Sequence, residues 1–166
     1  MHPDGVFVAE LQRALDAVGL EAVVIGTVAA ALQGAPVMTL DVDLLVRDTP
    51  GNRIKLTRLE RRLSARLTLI SELATTQRLS GLSVPVDILF DGIAGGLSFE
   101  AIRSRCARVD LEGASIRVAS LADIIASKEA TGRPKDMAHL PILRDTLRVR
   151  ATLALPEAGP GKVGDE

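Results

Sequence analysis

The sequence predicts an α/β (α+β) fold, a mixed sheet with helices packed on it and a short C-terminal helical region. Two observations predict it. Apolar residues recur at helical spacing in some segments and in short β-type runs in others, and the two kinds alternate along the first half of the chain. Later, strand-like runs follow one another across glycine turns, which argues for antiparallel pairs added to that sheet. One domain is expected over residues 1–155, with C-terminal helices at about 120–150 and a flexible tail over 156–166, where Pro, Gly and charge dominate.

In chain order, Phe7, Leu11, Ala14, Leu15 and Val18 form a helical stripe over 6–18, which Gly19 ends. Residues 21–26 read as a buried strand, and 27–34 as a short Ala-rich helix closed by Gly34. A second strand covers 40–46, followed by a turn at Thr49-Pro50-Gly51-Asn52. An amphipathic helix is expected from Arg53 to Leu67, with Leu56, Leu59, Leu63 and Leu67 on one face. Residues 75–80 and 84–90 look like strands paired across Gly81-Leu82-Ser83. A helix over 97–104 and strands near 106–111 and 114–118 follow, the strands separated by Glu112-Gly113. Ser120 and Asp123 read as a capping box for a helix that runs to Thr131 and stops at Gly132. Pro134 suits the first turn of a last helix, in which Pro141 is a candidate bend.

The chemistry concentrates near the start. Strand residues alternate faces, so Asp41 and Asp43 project from one side, with Leu40, Val42 and Leu44 on the other. Two acids so placed repel each other unless a cation joins them, and a hard divalent ion such as Mg²⁺ or Mn²⁺ takes oxygen ligands of this kind. Upstream, the turn at Gly26-Thr27 opens a helix, where backbone N–H groups and the positive helix end favour a phosphate. Thr27 can equally serve as a plain N-cap. Metal and phosphate together suggest nucleotide chemistry.

The pattern Gly26-Thr27-x-Ala29, Gly34-x-Pro36, Thr39-x-Asp41-x-Asp43 resembles the signature of the DNA polymerase beta-like nucleotidyltransferase superfamily. Within it, the likeness is to small bacterial nucleotidyltransferase-like proteins of toxin–antitoxin and abortive-infection type. The resemblance runs from about Leu20 to Leu143. It implies a third carboxylate on a later strand, matched by Asp87 in Val84-Pro85-Val86-Asp87, and it extends to Lys128 and Arg133-Pro134-Lys135-Asp136. The implied metal and catalytic set is Asp41, Asp43 and Asp87, and the implied nucleotide-binding set is Gly26, Thr27 and Lys128. The implied activity is Mg²⁺-dependent transfer of a nucleoside monophosphate from an NTP to a hydroxyl of RNA, tRNA or a protein, with a cognate antitoxin as a further expected partner. Thr27, Val37 and Leu40 stand where relatives carry Gly or Ser and basic residues. They leave open a catalytically silent module that binds nucleotide or a partner. A sugar-nucleotide enzyme using an Asp-x-Asp metal motif is a third option, which the upstream glycine turn and the later aspartate disfavour.

Other side chains carry plainer expectations. Lys128 falls on the apolar face defined by Leu121, Ile124 and Ile125, so it needs an anion, either a ligand phosphate or a protein carboxylate. Lys55, Arg58, Arg62 and Arg66, with Arg53 and Arg61, form a basic stripe that reads as a solvated helix face. His139 has no companion at ligand spacing, and the lone Cys106 reads as a packed thiol.

Composition bounds these readings. With 166 residues the chain can bury a core without disulfides or structural zinc. At 47% hydrophobic residues and a mean hydropathy of +0.25, disorder is excluded for most of its length. No apolar run approaches the length of a membrane span. The opening Met1–Gly5 lacks the regions of a signal peptide, so a cytoplasmic protein is expected. The net charge of −1 and 2% aromatic residues leave little with which to attract or stack single-stranded RNA.

Overall fold

The computed structural model describes residues 4–71 and 75–154; the tail expected over 156–166 lies outside them. Helix α1 (Gly5–Val18) starts where the Asp4 carboxylate accepts from the Phe7 N–H, and it stops at Gly19 in the left-handed conformation. Strand β1 (Val23–Ile25) is fully buried and runs directly into α2 (Gly26–Leu32). Strand β2 (Val42–Val46) follows after an irregular segment, then α3 (Pro50–Arg62). The Thr49–Asn52 cluster, expected as a turn, is the start of α3: the Thr49 hydroxyl accepts from the Asn52 N–H at 3.1 Å and Pro50 fills the first turn.

The helix expected to continue to Leu67 ends at Arg62. Ser64 takes a left-handed φ of 51° and the chain reverses into β3 (Arg66–Leu69), which pairs antiparallel with β4 (Gln77–Ser80). Leucines 59, 63 and 67 are four apart, so they mimic a helical stripe, whereas Arg66 to Leu69 alternate polar and apolar as a strand does. The Glu60 carboxylate receives the Leu67 N–H at 2.7 Å and stitches the helix end to the strand. Arg66 therefore leaves the expected basic stripe for the sheet edge. Arg53 lies over the Phe90 ring at 3.8 Å and pairs with Asp48.

Strand β5 (Val86–Phe90) pairs with β4 as the hairpin pattern predicts. A two-stranded ribbon, β6 (Gly92–Ile93) and β7 (Leu97–Ser98), was not foreseen; it leads into α4 (Phe99–Arg105), capped by Ser98. Strands β8 (Ala107–Leu111) and β9 (Ala114–Val118) form the second expected hairpin. Helix α5 (Leu121–Thr131) is capped by the Ser120 hydroxyl and ends at left-handed Gly132, as expected. The capping box is one-sided: the Asp123 carboxylate binds Arg105 instead. Helix α6 (Pro134–Ala154) runs on through Pro141.

Among the described residues, the main sheet has the order β3-β4-β5-β2-β1-β9-β8. Pairing is parallel between β2 and β5 and between β1 and β9, and antiparallel elsewhere, so the sheet is mixed. Val42, Leu44, Leu45, Val46, Val86 and Ile88 are essentially without solvent exposure, and with Leu15, Leu59, Ile102 and Leu143 they form one continuous core. Leu40, expected on the apolar face beside Val42 and Leu44, is instead 70% exposed, because β2 begins only at Val42 and Asp41 sits in a bend before it. No helix among the described residues is long and apolar enough to cross a membrane.

Candidate active site

Four strands carry the site, and their register builds it. Ile25 of β1 lies opposite Asp43 of β2, Asp43 opposite Asp87 of β5, and Asp87 opposite Arg78 of β4. Paired residues in a sheet share a face, so the two aspartates and Arg78 form one row across the sheet. Asp41 joins them from the preceding bend, its Oδ1 accepting the Thr39 hydroxyl at 2.6 Å. Carboxylate oxygens of Asp41, Asp43 and Asp87 lie within 4.8 Å of one another. The three acids singled out in the sequence are thus brought together.

The glycine turn meets them. Gly26 has φ of +69°, which an L side chain rarely adopts, and a β-carbon there would lie 2.6 Å from Asp43 Oδ2. The backbone at the start of α2 therefore lies directly against the acid cluster. Thr27 is not the N-cap; Ile25 holds that position, with no side-chain cap bond. The Thr27 hydroxyl is turned toward Lys128, accepting from its Nζ at 3.1 Å.

Burial, and then the charges of Asp41 and Asp87, push the Asp43 carboxyl up to about 7. The same crowding makes the cluster fit a divalent cation: it offers oxygen donors only, one from each acid within 4.8 Å of the others. Such an ion would be held by Asp41, Asp43 and Asp87.

Arg78 escaped the sequence reading. Its Nε and Nη2 donate to the two Asp87 oxygens at 2.7 and 2.8 Å, a bidentate pair that raises its own already high pKa, first through these bonds. The only available signal was the predicted hairpin of 75–80 with 84–90, and that hairpin fixes the contact only once its register is known.

Lys128 is 8% exposed, on the buried face of α5 as its spacing predicts. Its anion is a protein carboxylate: Nζ donates to Asp136 Oδ1 at 2.8 Å, while Arg133 Nε donates to Asp136 Oδ2 at 2.6 Å. Burial acts to raise the Asp136 carboxyl, but these two hydrogen bonds outweigh it and hold it below the usual range. The left-handed Gly132 turns the chain so that Arg133 and Asp136 face back onto Lys128. His139, one turn further along α6, has a buried Nδ1 with no hydrogen-bond partner among the described residues. Its pKa is lowered by burial and then by Lys128.

Asp41, Asp43, Asp87, Gly26, Thr27, Lys128, Arg133 and Asp136 line one cleft of about 410 Å³, to which Lys135 also contributes. Its size suits a nucleotide.

Neither a family model nor a curated protein matches the sequence. Solved structures do. The structure of ANT(2'')-Ia in complex with adenylyl-2''-tobramycin superposes with a TM-score of 0.60 at 16% identity, covering 89% of this chain and 95% of that one. The lincomycin-bound lincosamide antibiotic adenylyltransferase LnuA gives 0.62 at 9% identity, covering 86% and 96%. An antigenic nucleotidyltransferase-like protein from Paracoccidioides brasiliensis gives 0.58 at 16%, covering 87% and 75%. The chain has the nucleotidyltransferase fold.

Proposed function

We propose that the protein is a divalent-metal-dependent nucleotidyltransferase that moves a nucleoside monophosphate from an NTP to an acceptor hydroxyl. The observation that carries this reading is the convergence of Asp41, Asp43 and Asp87 against the Gly26 turn, in the lining of a cleft of about 410 Å³. The fold shared with the lincosamide antibiotic adenylyltransferase LnuA and with ANT(2'')-Ia, solved in complex with adenylyl-2''-tobramycin, supports it.

In this reading, the N–H groups at the start of α2 and the Thr27 hydroxyl receive phosphate oxygens. Lys128 and Lys135 face the same cleft and offset the charge of the triphosphate. The acceptor oxygen attacks the α-phosphorus, the bond from that phosphorus to the bridging oxygen breaks, and pyrophosphate leaves; the acceptor proton passes to a carboxylate oxygen of the cluster. Mg²⁺ or Mn²⁺, when bound, supplies Lewis-acid stabilisation of the phosphoryl charge. Asp41, Asp43 and Asp87 would hold it.

For the acceptor we propose a hydroxyl of RNA, tRNA or a protein, in a toxin–antitoxin setting with a cognate antitoxin, as the sequence resemblance suggests. The antibiotic acceptors of the structural neighbours define the competing class. Incubation with Mg²⁺ and each α-labelled NTP, in the presence of RNA, protein or polyhydroxylated antibiotics, tests all three. Label transfer with stoichiometric pyrophosphate release identifies the acceptor. No pyrophosphate release with any of them would leave the second reading, a catalytically silent nucleotide- or partner-binding module. One observation favours that reading: Arg78 already takes both oxygens of Asp87.

A further inference from the structure

We infer that Arg78 is a positioning residue that restrains the acid cluster from loading divalent metal until nucleotide phosphates arrive. The inference rests on the metal-site reading above and goes beyond it. Among the described residues, Arg78 is the cation hydrogen-bonded to the triad, since Lys128 is committed to Asp136 and Thr27. Strand register places it: Arg78 stands opposite Asp87, with Thr68 of the edge strand β3 on its other side. The guanidinium fork grips both carboxylate oxygens, so it fixes the plane of Asp87. Each oxygen keeps a further lone pair for a cation.

A guanidinium does not lose its charge at any working pH. A divalent ion bridging Asp87 therefore binds beside a fixed positive charge. That repulsion weakens metal binding to the free protein, while the partial neutralisation lets three acids stand together without an ion. An arriving triphosphate brings negative charge that reverses the balance. Metal then binds tightly only together with nucleotide.

The test is Mn²⁺ titration of the full chain at pH 8, followed by electron paramagnetic resonance of the free ion, without nucleotide. Wild type, Arg78→Met, Arg78→Gln and Arg78→Lys are compared, with melting curves to confirm folding. Removal of the charge in Arg78→Met and Arg78→Gln is expected to tighten Mn²⁺ binding by about tenfold, and Arg78→Lys, which keeps the charge, should stay near wild type. A non-hydrolysable NTP should shrink the difference. Equal or weaker binding in both neutral variants, with wild type binding Mn²⁺, overturns the role of Arg78 and leaves the metal site standing. Absence of binding in every protein overturns both. Binding in the neutral variants alone supports the inference in its strongest form.

Discussion

Gly26 and Asp43 are mutually dependent: the carboxylate occupies the space that a side chain at position 26 would need, 2.6 Å from where its β-carbon would lie. Gly26→Ala should therefore displace Asp43 as well as strain a left-handed backbone. The strain alone costs about 1–3 kcal/mol. The expected outcome is a lower melting temperature together with weakened Mn²⁺ binding. A variant that melts lower yet binds Mn²⁺ as wild type does would show that the turn and the acid cluster are independent.

Asp43 contributes a pH dependence to the metal-free protein, and His139, whose pKa is lowered by burial, contributes one of opposite sign below its ordinary value of 6.5. The folded Asp43 carboxyl is raised from the ordinary aspartate value near 4 to about 7, so between these pH values the folded state holds the proton that the unfolded state releases. The stability that Asp43 contributes should fall as pH rises through that window and level off above it. The displacement corresponds to at most about 4 kcal/mol. Asp43→Asn should remove this contribution in denaturant titrations from pH 4 to 8. A wild-type profile with the same slope as that of Asp43→Asn over this range contradicts the assignment.

Metal binding should be coupled to that same proton. Because the ion takes the ionised carboxylate, Mn²⁺ binding at pH 6 should release close to one proton, and at pH 8.5 almost none. Saturating Mg²⁺ should raise the melting temperature, by about 2.7 kcal/mol of stability at a hundredfold excess over its dissociation constant. Asp43→Asn should abolish most of this gain while retaining the fold. Calorimetry that finds equal affinity in the two proteins rules out the triad as the metal site.

The Lys128–Asp136 pair is structural as well as positioned on the cleft. Lys128→Met strands one oxygen of a carboxylate that is 1% exposed. Its cost should lie toward the low end of the roughly 3–5 kcal/mol for breaking a buried pair, because Arg133 still holds the other oxygen. Asp136→Asn should cost a similar amount, and the double variant clearly less than the sum. Additive losses in chemical denaturation would show that the two residues act separately.

The acid pair was legible from the sequence because Asp41 and Asp43 are two residues apart beside the Gly26 turn, although Asp41 reaches the cluster from the bend before β2 and not by the strand alternation that suggested it. Asp87 could be matched only through a family resemblance, since no local rule ties it to a strand far upstream. Lys128 was legible as a buried cation, yet Asp136 as its partner required the angle between α5 and α6. Arg78 and β3 were missed for one reason. Both depend on how β3, β4 and β5 register, and four-residue leucine spacing disguised the edge strand as a helix extension. Leu40 was misplaced because its apolar character suggested a strand that the bend at Asp41 cuts short.

The parallel pairing of β2 with β5 has a kinetic consequence. Asp43 and Asp87 become neighbours only when a crossover containing α3, β3 and β4 has closed, a non-local event of the kind that folds slowly. A slip of one residue in that pairing would send one carboxylate to the opposite face of the sheet. The cluster therefore requires that this non-local pairing be in place. Divalent ions meet their full ligand set only once this pairing has formed, so they should slow unfolding more than they hasten refolding.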